Sequence, residues 1–312
     1  MQHHIIFAEK LKETMKTEFA IWMVSYLIRR GPDTQENIIN EWSKHINEDV
    51  EIHRNTFGNY RRKAEELFGT EISYNPVTKE YYIEDKNLIT HNAMYRWLLQ
   101  SVSASNVISR RSRLKDRIML ETSSGGEEFI EPITEAMEKG LCIELVYEAF
   151  WDEPKERTVE PYYIKLFKRR WYLIGKRRDK GEFRTYCFDR IKSVSLSDIK
   201  FKFRKEQSAE TLFYDYYGII QYPVKKVRVV IKVTCEQGMY IKTLPLHHSQ
   251  KLIHQDDDYM TFELYLKPCY DFVKELLSWG SELEVISPES LRKEVNLYAM
   301  EMCEIYNPKD NG

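Results

Sequence analysis

Arg184, Tyr186, Phe188 and Arg190 alternate along a short run, Arg-Thr-Tyr-Cys-Phe-Asp-Arg. In an unbroken strand, a spacing of two places all four on one face. Guanidinium groups fork onto phosphate oxygens, and aromatic rings are platforms for bases. The combination suits a nucleotide or a single-stranded nucleic acid. The cations are concentrated here. From Tyr162 to Lys192 there are 11 Lys and Arg against 3 Asp and Glu, a local +8, in a chain whose formal net charge is -2. Tyr172, in the preceding apolar run, falls on the face opposite Trp171 and Leu173. The clusters Lys168–Arg170 and Arg177–Lys180 also fit solvated hairpin tips, and Asp189 fits pairing with an arginine.

A second stretch could do a different chemistry. From His53 to Lys63 the charged side chains are Arg54, Arg61, Arg62 and Lys63, without a carboxylate. Arg54, Asn55, Thr56 and Asn59 stand early in an expected helix, where side chains reach base edges in the major groove of duplex DNA. Arg61, Arg62 and Lys63 suit phosphate contacts, which position without specifying. Lys79, in a following hairpin, could reach the adjacent backbone as a wing. Tyr60 is open between core and DNA.

Other chemistries lack their patterns. There is no nucleophile elbow, zincin helix, phosphate-binding loop or dinucleotide fingerprint, so no catalytic residue, cofactor or enzymatic activity is expected. His247, His248 and His254 near Asp256–Asp258 could suggest a metal. They read better as a strand edge and a hairpin turn, and no metal is expected. The five cysteines (Cys142, Cys187, Cys235, Cys269 and Cys303) are scattered and include no C-x-x-C pair. That argues against a disulfide framework or a zinc site. No apolar run of membrane-spanning length occurs and the first residues lack a leader-like core, so a cytoplasmic protein without a membrane partner is expected.

The elements that must position these residues predict an α+β multidomain chain. Residues 1–85 read as three helices and a hairpin, the order of a winged helix-turn-helix. The first helix carries Phe19, Trp22, Met23, Tyr26 and Leu27 and stops at Gly31. Asp33 and Glu36 resemble a capping box before the second, and the third runs from about Val50 to Phe68, ended by Gly69. Asn75-Pro76 marks the hairpin turn. Residues 86–128 read as a helical linker ending in the flexible Ser-Ser-Gly-Gly-Glu-Glu. Residues 129–205 switch to period two: strands at 141–147, 158–166, 169–178, 182–188 and 191–197 suggest a small β-barrel. Residues 206–312 read βαββαβ with a final helix, a ferredoxin-like order, with Ser287 as N-cap and Pro288 at the first helical position.

At these motifs the chain resembles a known family. Arg-Arg-Trp-Tyr-Leu-Ile-Gly at 169–175, then Arg-Thr-Tyr-Cys-Phe-Asp-Arg-Ile at 184–191, is similar to the WYL domain. Ile-Glu-Leu-Val-Tyr-Glu-Ala-Phe at 143–150 and Arg-Thr-Val-Glu-Pro-Tyr-Tyr-Ile at 157–164 resemble its first strands. The C-terminal segment, with Lys-Thr-Leu-Pro-Leu-His-His-Ser at 242–249 and the run from Leu276 to Val295, resembles the C-terminal extension that accompanies it. The resemblance implies a bacterial transcription regulator with an N-terminal DNA-binding domain, an Sm-like WYL barrel that senses a nucleic-acid ligand, and assembly as a homodimer. It maps a ligand pocket onto Tyr147, Arg157, Tyr172, Arg184 and Arg190. Phe188 stands where the family usually has an aliphatic residue. The expected partners are a double-stranded DNA operator and a single-stranded nucleic acid or nucleotide ligand. The competing expectation is a nucleic-acid-binding accessory protein of a defence or repair system, without promoter specificity.

Overall fold

The computed structural model describes residues 2–46, 52–110, 117–122, 124–203 and 213–307. The chain divides into two compact units, Met1–Glu121 and Thr122–Gly312.

The first unit is built around α1 (Gln2–Arg30). Six consecutive residues, Phe19 to Val24, are buried. A helix buried all round must be covered on every side. The cover is α2 (Gln35–Ile46), α3 (Arg54–Phe68) and α5 (Ala93–Arg110), which follows the short α4 (Lys86–Thr90). The last two helices, read from sequence as a connector, belong to this core: Ile89 is fully buried, and Leu98, Leu99 and Val102 pack on it. Phe19 meets Trp42 at 5.3 Å and Tyr60 at 5.1 Å between ring centroids, which assigns Tyr60 to the core. Burial raises the Tyr60 pKa accordingly.

Three strands complete the unit: β1 (Asp33–Thr34), β2 (Ile72–Asn75) and β3 (Glu80–Ile83), in the antiparallel order β1-β3-β2. The hairpin turn forms where Asn75 accepts the Val77 N–H on its side chain at 2.9 Å and the Lys79 N–H on its carbonyl at 2.8 Å. The helix cap differs from the expected capping box. Asp33 lies in β1, and its carboxylate takes the Tyr26 hydroxyl at 2.6 Å and the Asn37 side-chain amide at 2.7 Å. Thr34 Oγ1 accepts the Asn37 N–H at 3.3 Å instead, so the cap sits one residue later.

In the second unit, α6 (Ile130–Lys139) precedes β4 (Leu141–Tyr147), β5 (Lys155–Phe167), β6 (Arg170–Arg177), β7 (Phe183–Cys187) and β8 (Ile191–Lys200). They form one antiparallel sheet in the order β7-β6-β5-β4-β8. Its core takes Ile143, Leu145, Val159, Leu173, Tyr186 and Phe188, closed by Ile133 and Ala136 of α6. Between β7 and β8 the chain makes one 3-10 turn, Phe188–Arg190. This breaks the extension that would have aligned Arg184 with Arg190. The glycine pair read as a flexible linker also has a fixed end. Gly126 has φ +90°, and a Cβ there would lie 2.6 Å from the Phe188 backbone. Only glycine fits both the conformation and the contact.

The rest of this unit runs β9 (Val227–Thr234), α7 (Cys235–Thr243), β10 (Lys251–Gln255), β11 (Tyr259–Leu266), α8 (Tyr270–Ser278), β12 (Leu283–Ser287) and α9 (Glu289–Tyr306). The expected βαββαβ order is present, and the sheet order is β10-β11-β9-β12, all antiparallel. Pro288, not Ser287, occupies the N-cap of α9, with no side-chain cap bond. Strand β5 and the turn after it meet this part directly: Lys165 Nζ donates to the Gly218 carbonyl at 2.6 Å, and Lys168 pairs with Glu275 of α8 at 2.7 Å. His247 and His254 do not converge: the first bonds Ser249 and the Tyr214 carbonyl, the second reaches Asp256 at 3.3 Å.

Candidate nucleic-acid interfaces

The outward face of α3 is set by what its inward face must do. Phe57, Ala64 and Phe68 are buried at helical spacing, which turns Asn55, Asn59, Arg62 and Glu66 to solvent in one stripe. Thr56 is half-buried beside it. Arg62 donates to the Asn59 side-chain carbonyl, so the two are aligned as a pair. The side chain of Arg54 lies outside the described residues.

Two cations assigned to phosphates from sequence are engaged inside the unit. Arg61 Nη1 donates to the Ile72 carbonyl at 3.2 Å, while Glu65, 3.8 Å from Arg61 Nε, accepts the Ile72 N–H at 3.0 Å. The pair clamps both polar groups of the first residue of β2, and the guanidinium lies 6.0 Å over the Tyr81 ring. Lys63 pairs with Glu13 of α1 at 3.5 Å. Helical periodicity separates Arg62 from its neighbours only once the inward face is known. Lys79 is exposed at the hairpin turn with φ +60°, clear of both clamps.

The second site lies where β4 ends against the 3-10 turn. Tyr147 is buried, its hydroxyl accepts the Cys187 N–H at 3.3 Å, and its ring meets Tyr186 edge-on at 5.1 Å. The Arg190 guanidinium is held between two rings, 5.2 Å from the Tyr147 centroid and 4.2 Å from that of Phe150. Cation–π contacts of this kind orient a guanidinium while leaving its in-plane N–H groups available. Arg190 Nε and the Tyr186 hydroxyl are both buried without a hydrogen-bond partner among the described residues. Burial pushes the Tyr186 pKa up to about 12, against the lowering influence of Arg177, Arg157 and Arg184. Tyr147 is raised by burial too. Both phenols therefore stay neutral, and each keeps its O–H as a donor.

Not all five expected ligand residues share this place. Tyr147 and Arg190 touch, and Arg157 is half-buried on β5, opposite Leu145, within electrostatic reach of Tyr186. Arg184 is exposed and already paired with Glu182 at 2.6 Å. Tyr172 pairs across the sheet with Cys187, on the face opposite Leu173 and Tyr186. Burial, then Cys187, pushes its pKa up to about 12. Asp189 lies 3.5 Å from Arg170, the pairing that the sequence allowed. Phe150 lies in a turn, where periodicity gives no signal. Tyr186, expected on the ligand face as a platform for a base, is instead a buried core ring with an unbonded hydroxyl.

Residues 128–196 match the WYL domain, and residues 225–302 match the WCX domain. The chain thus carries a WYL domain and, after it, a WCX domain. It is similar to the uncharacterized HTH-type transcriptional regulator YobV of Bacillus subtilis (strain 168), 21% identical over 250 residues, which span 78% of this chain and 76% of that protein. Among solved structures, proteasome accessory factor B/C (PafBC) of Arthrobacter aurescens aligns over 83% of this chain at 16% identity and a TM-score of 0.26. The alignment spans 44% of that chain, less than half. The crystal structure of a CRISPR Cas-related protein aligns over 95% of this chain and 86% of its own, at 11% identity and a TM-score of 0.35. Among the described residues no helix is long and apolar enough to cross a membrane.

Proposed function

We propose that this chain is a ligand-responsive, DNA-binding transcription regulator. Residues 1–85 act as a winged helix-turn-helix, with α3 as the recognition helix and Lys79 on the wing. Residues 129–205 act as an Sm-like barrel that senses a nucleic-acid or nucleotide ligand, and the ferredoxin-like part after it helps to assemble a homodimer. The similarity to an HTH-type regulator favours this reading. The observation that carries it is Arg190, held between Tyr147 and Phe150 with its Nε buried and unbonded among the described residues. A buried unsatisfied donor is costly unless a ligand satisfies it. On the duplex side, Asn55 and Asn59 are suited to adenine edges and Arg62 to a phosphate or guanine.

The test is footprinting of the full-length protein on DNA upstream of its own gene, with and without short single-stranded oligonucleotides. The expected result is a protected two-fold site whose occupancy changes with oligonucleotide. Equal affinity for that site and for random duplex removes the regulator reading. An occupancy indifferent to every oligonucleotide and nucleotide tried removes the sensor part.

A further inference from the structure

Phe150 and Trp151 are the two central residues of the turn that leaves β4, closed by the Asp152 N–H on the Ala149 carbonyl at 3.2 Å. Trp151 has φ +63°. Turns with a left-handed residue at this position ordinarily use glycine or asparagine there. Trp151 is fully exposed, at 104% of its reference area, and Phe150 is 68% exposed. Two large rings in water, one on a strained backbone, add nothing to the core beneath them. An observed outlier of this kind points to a use. The position supplies one, because Phe150 already covers the Arg190 guanidinium at 4.2 Å.

We propose that Phe150 and Trp151 form a stacking lip for consecutive bases of a single-stranded nucleic acid whose backbone is held at Arg190. The ligand of this site is then an oligonucleotide and not a mononucleotide. This deepens the sensor reading above and rests on it. The local charges agree. Glu148 is paired with Lys192, and Asp152 with Lys155 at 2.5 Å. Arg157 and Arg190 have no ion pair among the described residues, and Glu153 and Glu156 are the acids between the turn and Arg157. Every base has a π-face, so stacking on such a lip adds affinity per nucleotide with little sequence preference. A mononucleotide could occupy Arg190 but would leave Trp151 in water.

The test compares full-length wild type, Trp151→Gly, Phe150→Ala and Arg190→Ala for binding of thymidine monophosphate and of a fluorescent oligothymidylate. Glycine relieves the left-handed strain, so Trp151→Gly should hold or raise Tm. It should weaken oligothymidylate binding by roughly five- to 100-fold and leave the monophosphate unchanged. An iodouracil-substituted oligothymidylate should crosslink to the peptide that carries Trp151. If Trp151→Gly binds oligothymidylate like wild type while Arg190→Ala does not, the lip is overturned and the sensor stands. If wild type binds neither probe, both fall. Loss of the monophosphate in Trp151→Gly, or a fall in its Tm, would make Trp151 a structural residue and overturn the proposal. So would crosslinks confined to residues 1–121.

Discussion

Sequence gives α3 and the turn around Arg190 similar endowments, cations with polar or aromatic neighbours, and the fold uses them in opposite ways. On α3 two of the cations are turned inward: Arg61 clamps β2 and Lys63 reaches α1, leaving amides and Arg62 to solvent. At the end of β4, Arg190, without an ion pair among the described residues, is half-buried against two rings, while the exposed Arg184 is neutralised by Glu182. An exposed face with few free charges reads edges and gains little from counterion release. A desolvated guanidinium gives more per contact, because water no longer competes. Charge counted along a sequence is therefore a poor guide to charge available at a surface.

The two units should also part company in acid, and this is the largest expected effect. His247, in the second unit, is buried, and burial followed by His248 lowers its pKa to about 4. Its Nε2–H donates to the Tyr214 carbonyl at 2.9 Å, and Nδ1 accepts from Ser249 Oγ at 2.7 Å, which fixes the neutral form. A histidine with a depressed folded pKa contributes its stability above its unfolded pKa of about 6.5 and loses it as pH falls toward 4. The loss is on the order of 3 kcal/mol. In the first unit, burial would raise the Asp33 pKa, but hydrogen bonds from Tyr26, Asn37 and Thr34 hold it below its usual value. Its contribution is lost only at lower pH, below about 4. Urea melts from pH 7 to 4, followed by hydrogen exchange, should show residues 122–312 weakening first. His247→Gln should flatten that slope. Simultaneous loss of both units would remove the contrast.

The ligand side comes next. Arg190→Ala should cost about 1–3 kcal/mol of oligonucleotide binding, the range for a charge-assisted contact in a partly desolvated site. Arg190→Lys should recover little, since an ammonium cannot lie flat between Tyr147 and Phe150. Titration by fluorescence anisotropy checks both. Full recovery by lysine would reduce the site to a point charge.

On the duplex side, neighbouring arginines should separate. Arg61→Ala removes the clamp on Ile72 and should lower unfolding free energy by about 1–2 kcal/mol, with the salt slope of DNA binding unchanged. Arg62→Ala should leave Tm within about a degree and shrink the slope by about one. Thermal melts and affinities across a salt series decide it. The reverse assignment would mean that the outward face of α3 is not the one that meets DNA.

How much of this was legible in the sequence follows from which residues carry local signals. Period two located β4 to β8 closely, and Gly69 with Asn75-Pro76 fixed the end of α3 and the hairpin turn. Three things were not legible. The cover of α1 by α5 depends on tertiary packing, which the helical spacing of residues 93–110 does not by itself reveal. The clamp of Arg61 and Glu65 on Ile72 joins residues 11 and 7 apart, from α3 to β2 across the turn at Gly69. The 3-10 turn at Phe188–Arg190 ends the strand at Cys187 without a glycine or proline to announce it, so the unbroken extension expected from Arg184 to Arg190 does not form.

That last failure yields the smallest and sharpest expectation. If two cations at a spacing of six served one ligand, Arg184→Ala and Arg190→Ala would weaken it comparably. The geometry predicts otherwise. Arg184 is solvent-exposed and shares its guanidinium with Glu182 at 2.6 Å. An exposed pair of this kind is worth about 0–1 kcal/mol, and its field is screened within about 8 Å at physiological salt. Arg184→Ala should therefore change oligonucleotide affinity by less than about twofold at physiological ionic strength. Any larger effect should appear only at low salt, as a change in association rate and not in dissociation rate. Stopped-flow mixing at two ionic strengths separates the two. A slower association confined to low salt makes Arg184 a steering charge. A faster dissociation at both salts would place Arg184 in contact with the ligand, and the site would then need a second cation that moves to meet Arg190 on binding.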